Sequence, residues 1–132
     1  MGSEFTFYDF VDGSGRNIIH DWLQRVPKGV KQKFNKRLEN LEATPSGKWT
    51  HRLVDTLTDG PCDGLFEVRV RWGTRQYRIL GAHTGVRGRP ILLHYFIKPG
   101  ARVDPAECQR AKTKMGQFSA NPARHKVVHN YE

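Results

Sequence analysis

Apolar side chains recur every three to four residues in two stretches near the beginning of the chain. Over residues 16–26 they form one stripe, which predicts a helix because this spacing places them on a single helical face. Ser14 is the residue that we expect to cap that helix. Pro27 suits the first turn of a second helix over residues 28–43. Two amphipathic helices joined by a short link predict an antiparallel helix hairpin.

A different pattern, with a period of two, begins in the middle of the chain. Residues 64–72 alternate between apolar and polar side chains and are predicted to form a strand. The link Gly73-Thr74 suits a type II′ hairpin turn, which leads into a returning strand over residues 75–82. Residues 90–98 are apolar on both faces, which indicates a central, buried strand.

A third helix is predicted to start after Asp104. Asp104 would be its N-cap, Pro105 its first helical residue and Glu107 the reciprocal capping partner. The apolar stripe of this helix continues to Phe118. The predicted fold is therefore α+β: an N-terminal helix hairpin packed on a small antiparallel sheet and followed by a C-terminal helix, with the helices on one face of the sheet.

The 132 residues suit one compact domain. Residues 1–5 resemble the remains of a cloning site and are set aside, whereas residues 6–10 suit a short first strand. The domain is expected to span residues 6–118. Residues 119–132 show no periodicity and are predicted to be a flexible tail.

Charge narrows the classes of partner. Lysine and arginine total 22 against 13 acidic residues, a net charge of +9, and such a surface attracts polyanions such as nucleic acid, an anionic membrane or an acidic protein. No apolar stretch approaches a membrane span, and no signal-peptide pattern opens the chain, so a cytoplasmic protein that does not bind membranes is expected. Cys62 and Cys108 lie far apart in the sequence and are expected to be reduced thiols.

The sequence contains no convincing metal-binding or cofactor-binding motif. His125 and His129 form one pair without carboxylate or thiol ligands at suitable spacing, so no metal site is expected. Neither a Walker loop nor a dinucleotide fingerprint is present, and no cofactor is expected.

The polar face of the predicted sheet carries the candidate chemistry. Arg69 and Arg78 lie on neighbouring strands, and His94, Phe96 and Lys98 alternate along the third. Where these faces coincide, the sheet presents cations, a histidine and an aromatic ring together. RNA cleavage without a metal needs a base for the 2′-hydroxyl, a proton for the leaving 5′-oxygen, and cations for the charge of the transition state. An aromatic ring could also stack on an RNA base.

Three segments, residues 64–69, 77–80 and 91–98, resemble the RelE/HigB superfamily of bacterial toxins, most closely its phage-related HigB-like branch. The final helix is similar as well, with Pro105 and Glu107 followed by an alanine at 111. The resemblance covers about residues 16–118.

The resemblance implies a RelE-like fold and a toxin of a type II toxin–antitoxin pair that cleaves mRNA on the ribosome without a metal. A cognate antitoxin would cover its basic face. The implied catalytic residues are Arg78, Arg69, Lys98 and His94. Around them we expect RNA contacts from Arg71, Arg75, Tyr77, Phe96, Arg102 and Lys48.

One departure from the family keeps other functions open. Pro99 stands where the family has a second lysine, and Arg102 is the candidate replacement. The alternatives are a ParE-like inhibitor of DNA gyrase and a non-catalytic, phage-related protein that binds nucleic acid.

Overall fold

A six-stranded sheet with helices on both faces forms the centre of the computed structural model, which describes residues 5–45, 48–49, 54–98 and 103–132. The strands are β1 (Tyr8–Phe10), β2 (Asp55–Thr56), β3 (Leu65–Trp72), β4 (Arg75–Ala82), β5 (Ile91–Ile97) and β6 (Lys126–Val128). The helices are α1 (Ile18–Arg25), α2 (Lys28–Glu42) and α3 (Pro105–Ala120), with a short 3₁₀ helix at Gly60–Cys62. The mixed α+β class is confirmed, although a strand precedes the helix pair.

The strand order is β2-β3-β4-β5-β1-β6. β5 therefore lies inside the sheet, as its apolar faces predicted. β4 has the expected bounds, β3 begins one residue later than predicted, and Gly73 adopts the positive φ of 63° that their turn requires. A purely antiparallel sheet was wrong, because β1 pairs with β5 in parallel, with Tyr8 opposite Ile91.

Each face of the sheet has its own core. Phe66 and Val68 of β3 pack with Leu23 of α1 and Phe34 of α2 on one face. On the other face, Leu65, Leu80 and Leu93 pack with the α3 residues Cys108, Ala111 and Phe118. The prediction that all helices share one face was wrong, because strands that are apolar on both sides need cover on both.

Asn17, rather than Ser14, caps α1. The Asn17 side chain accepts a hydrogen bond from the His20 backbone N–H at 2.9 Å, whereas the Ser14 hydroxyl donates to Asp12 Oδ1 at 2.6 Å within the preceding turn. Pro27 stands at the N-cap position, just before α2 rather than within its first turn.

The start of α3 follows the prediction in part. Asp104 accepts from the Ala106 backbone N–H at 2.9 Å, and Pro105 opens the helix. The side chain of Glu107 does not complete a capping box, because it turns towards His94 and Arg110 instead.

Residues 119–132 are built into the fold, which corrects the expectation of a flexible tail. β6 pairs with β1, and the buried His129 ring contacts Asp9 Oδ1 at 2.7 Å and Asn35 Oδ1 at 2.9 Å. Phe5, which was set aside with the first residues, is buried beside Trp49, with their ring centroids 4.9 Å apart.

Cys62 and Cys108 form a disulfide between the 3₁₀ helix and α3, although reduced thiols were expected. The two cysteines are 46 residues apart in the sequence, so their pairing was not predicted, but the fold brings their Cα atoms to 5.0 Å from each other. None of the described helices has the length and apolar content needed to cross a membrane.

Candidate active site

The strand register brings most of the predicted catalytic residues to one face. Arg69, Arg78 and Phe96 lie opposite one another in a single row across β3, β4 and β5. His94 lies one row further along β5, in line with Glu67 of β3. The two rows therefore place the Glu67 carboxylate next to Arg69 and Arg78.

Arg78 is completely buried, with 0% of its surface exposed. Its Nη1 lies 3.2 Å from Glu67 Oε2, and its Nη2 donates to Gln76 Oε1 at 2.7 Å. Phe96, only 7% exposed, has its ring 6.0 Å from the Arg78 guanidinium. The expectation that the sheet presents Arg78 as an accessible cation was wrong, because its guanidinium is buried and compensates the buried Glu67 carboxylate. Phe96 is also too buried to stack on a base.

Arg69 and Lys98 remain partly exposed, and each is paired with an acid. Arg69 Nη2 lies 2.5 Å from Asp55 Oδ2, and Arg69 Nε lies 3.4 Å from Glu67 Oε1. Burial raises the pKa of Glu67, against the opposing charges of Arg78 and Arg69. Lys98 Nζ donates to Asp104 Oδ2 at 3.2 Å.

The predicted RNA-binding residues are dispersed. Tyr77 points into the opposite core, 6.1 Å from the Trp22 ring, so stacking on an RNA base was a wrong expectation for it. Arg71 and Arg75 are exposed at the end of the β3–β4 hairpin, and Lys48 is exposed elsewhere. Arg102, like Pro99, lies outside the described residues.

A cleft opens along the edge of β5 that faces away from β4, beyond the point where β1 ends. β1 pairs only with the first residues of β5, so the later part of β5 borders a space of about 480 Å³ between α3, the end of β1 and the start of α1. The polar and aromatic side chains that line it include His94, Tyr95, Arg110, Thr113, Lys114 and Gln117.

His94 is held at both ring nitrogens on the wall of this cleft. Lys114 Nζ lies 2.8 Å from His94 Nδ1, and Glu107 Oε1 lies 3.0 Å from Nε2. Because an ammonium group can only donate, Nδ1 is the acceptor, and Nε2–H donates to the carboxylate. Arg110 Nη1 donates to the same Glu107 oxygen at 2.7 Å. The four side chains form one connected chain of hydrogen bonds, here called the His94 relay.

The relay shifts the acid–base properties of its members. Burial lowers the pKa of His94, and the charges of Lys114 and Arg110 act in the same direction, against the hydrogen bond to Glu107. Burial also lowers the pKa of Lys114 to about 8. For Glu107, burial raises the pKa, but hydrogen bonds from His94 and Arg110 outweigh it and leave the pKa lowered. At neutral pH the relay therefore holds a neutral imidazole beside a lysine that loses its proton readily.

Sequence reasoning found His94 but missed its partners. Glu107, Arg110 and Lys114 follow one another at intervals of three and four residues and so share one face of α3. That spacing was the available signal, but the interpretation of Glu107 as a capping residue concealed it.

A comparison with protein families identifies the family of the chain. Residues 21–116 match the family described as Phage derived protein Gp49-like (DUF891). No curated protein and no solved structure matches the chain. Because the match covers well over half of the chain, this protein belongs to the Gp49-like family of phage-derived proteins, which is related to the RelE/HigB-type toxins.

Proposed function

We propose that this protein is the toxin of a type II toxin–antitoxin pair and cleaves mRNA on the ribosome at the cleft beside His94. One observation carries the proposal: a neutral histidine, a lysine of lowered pKa and an exposed arginine meet on the wall of an open cleft. The net charge of +9 suits an RNA substrate. Membership of a family whose proteins are commonly RelE-like toxins supports the same conclusion.

The groups of the relay match the needs of RNA cleavage. The 2′-oxygen attacks the adjacent phosphorus, its proton passes to a base, and the bond from phosphorus to the 5′-oxygen breaks as that oxygen takes up a proton. His94 Nδ1 is the base once the Lys114 ammonium moves from it to the phosphate. Lys114 then donates the proton, which its pKa of about 8 favours over that of an ordinary lysine.

Arg110 and Glu107 support these two groups. The Arg110 side chain is largely exposed, so its remaining N–H groups can bind the non-bridging phosphate oxygens. Glu107 accepts from Nε2 and so keeps the lone pair on Nδ1, where the base must act.

The test is inducible expression in bacteria with mapping of mRNA 5′ ends by primer extension. The wild-type protein should arrest growth and produce cuts within translated regions, and Lys114→Met should lose both. Lys112→Met is the matched control and should remain toxic, because Lys112 reaches the Asp63 carbonyl on another side of the same helix.

Two outcomes would contradict the proposal. Lys114→Met that cuts mRNA like the wild type would exclude the cleft as the active site. Intact mRNA together with blocked DNA replication would instead indicate a ParE-like gyrase inhibitor. Arg78→Ala is unsuitable for this test, because it leaves the buried Glu67 without its arginine.

A further inference from the structure

Trp72 is the most conspicuous aromatic residue that the proposed mechanism does not use. It ends β3 at the tip of the β3–β4 hairpin and is 41% exposed, whereas Trp22 is buried in the core. Tryptophan is usually placed where its large apolar surface is covered. Its exposure on a strongly basic domain therefore makes it a candidate binding residue.

The indole rests on a position where only glycine fits. A Cβ at Gly29 of α2 would lie 2.1 Å from Cη2 of the Trp72 ring. The ring thus lies against the first turn of α2, which orients it. Lys33 Nζ lies 5.4 Å from the ring centroid.

Cations lie near Trp72 on α2 and on the neighbouring strand. Besides Lys33, the exposed Arg75 is the direct cross-strand partner of Trp72, whereas Arg71, which precedes Trp72 on β3, points to the opposite face of the sheet. The name hairpin platform is used here for Trp72 with Lys33 and Arg75.

We propose that the hairpin platform binds single-stranded RNA, with an unpaired base stacked on Trp72 and the adjoining phosphates on its cations. The proposal rests on the proposed function, which makes RNA the substrate. Every base has a π-face, and an oriented aromatic ring among cations is the combination that binds single strands.

The platform is a remote subsite and not part of the cleavage cleft. Trp72 lies five residues along β3 from Glu67, which is level with His94 two strands away. Strand geometry therefore separates Trp72 from His94 by about 20 Å. Lys98, whose backbone N–H donates to the Gln76 carbonyl at 3.0 Å, lies between them on the sheet. Because Trp72 faces α2 and His94 faces α3, the two sites lie on opposite faces of the sheet, and an RNA strand that contacts both must pass around the sheet edge.

The test titrates purified protein with a fluorescently labelled single-stranded RNA oligonucleotide at low salt and follows anisotropy and tryptophan emission. All proteins carry Lys114→Met, so that the RNA stays intact. RNA should quench the emission of the parent protein. Trp72→Leu should lose that quenching and bind roughly 5- to 100-fold more weakly, as expected for one lost stacking contact. Trp72→Phe should retain most of the affinity.

Gly29→Ala is a second variant that keeps every charge and the indole itself. Its methyl group should displace the ring and weaken RNA binding. Val128→Ala removes apolar surface from an exposed site on β6 and should bind like the parent.

Equal RNA affinity of the parent, Trp72→Leu and Gly29→Ala proteins would overturn the proposal, as would the absence of RNA binding by all of them. Failure of the proposed function looks different. Trp72-dependent RNA binding by a protein whose wild-type form cuts no mRNA in cells would refute the nuclease and leave the stacking site standing.

Discussion

Lys114 shows how burial converts an ordinary side chain into a chemical group. In the sequence it is one of three cationic residues of α3, and no local motif distinguishes it from the others. In the fold its ammonium faces a neutral histidine, and desolvation brings its pKa to about 8. The same lowering that favours proton donation also makes stability depend on pH.

Lys114→Met should flatten the pH dependence of stability on the alkaline side. The pKa of Lys114 is about 8 in the folded protein against 10.5 for an ordinary lysine, so between these values the unfolded chain binds more protons. The free energy of unfolding therefore gains a rising contribution as pH increases through this window. Urea unfolding at pH 7, 8, 9 and 10 measures it as the difference between wild type and variant. Parallel curves for the two proteins would show that Lys114 titrates normally.

At the scale of the element, short polar side chains decide where helices begin. Asn17 has two roles, because its Oδ1 caps α1 while its Nδ2 donates to Asp9 Oδ2 at 3.0 Å. Ser14 is equally suitable as a residue type, but it lies within the turn that Asp12 closes. Residue type thus predicts that a cap exists, and the path of the chain selects which residue provides it.

Asn17→Ala should destabilise the protein by about 1–2 kcal/mol, the usual cost of a lost N-cap, with the lost contact to Asp9 added. Ser14→Ala should stay within about 0.5 kcal/mol of wild type, because its hydroxyl contacts only an exposed turn. Chemical denaturation of both variants tests the assignment. A larger loss for Ser14→Ala than for Asn17→Ala would reverse it.

At the scale of the whole molecule, the two ends of the chain hold each other. β6 covers β1, and the buried His129 ring lies between Asp9 of β1 and Asn35 of α2. The Asn35 Nδ2 donates to the Tyr131 carbonyl, so its oxygen is the atom that faces His129. Both ring nitrogens of His129 therefore face oxygen atoms, and the side chain ties β1 to α2.

His129→Ala should cost about 1–3 kcal/mol or more, because the buried Asp9 and Asn35 oxygens lose this partner. Val127→Ala, at an exposed position of the same strand, should cost little. Denaturant unfolding of the two variants measures the difference. Equal, small losses would restore the flexible tail that the sequence pattern suggested.

Particular elements show how much of the fold the pattern of side chains predicts. Residues 75–82 were predicted with their final bounds, and α2 to within one residue, because local periodicity and turn chemistry act over a few positions. The third strand was correctly predicted to be central, since both of its faces are apolar. The first strand was predicted over residues 6–10 and lies at Tyr8–Phe10, but its parallel pairing with β5 was not predicted, because strand pairing depends on residues far apart in the chain.

The candidate site could be predicted only in part. Alternation along the strands correctly placed Arg69, Arg78 and His94 on one face. Alternation gives no information about burial. The prediction therefore left Arg78 accessible, whereas the fold buries it against Glu67. Lys114 was missed because it lies twenty residues from His94 on another element.

By itself, the sequence determined the local elements, the α+β class, the basic charge and the resemblance to a toxin family, since each depends on neighbouring residues or on sums over the chain. Tertiary structure alone decided which face α3 covers, that the C-terminal residues complete the sheet, and that His94 meets Lys114 and Glu107 in a cleft. These features depend on burial and on contacts between residues far apart in the chain. Neither quantity is encoded in any local window, because the cost of desolvating a charge is known only once its surroundings are complete.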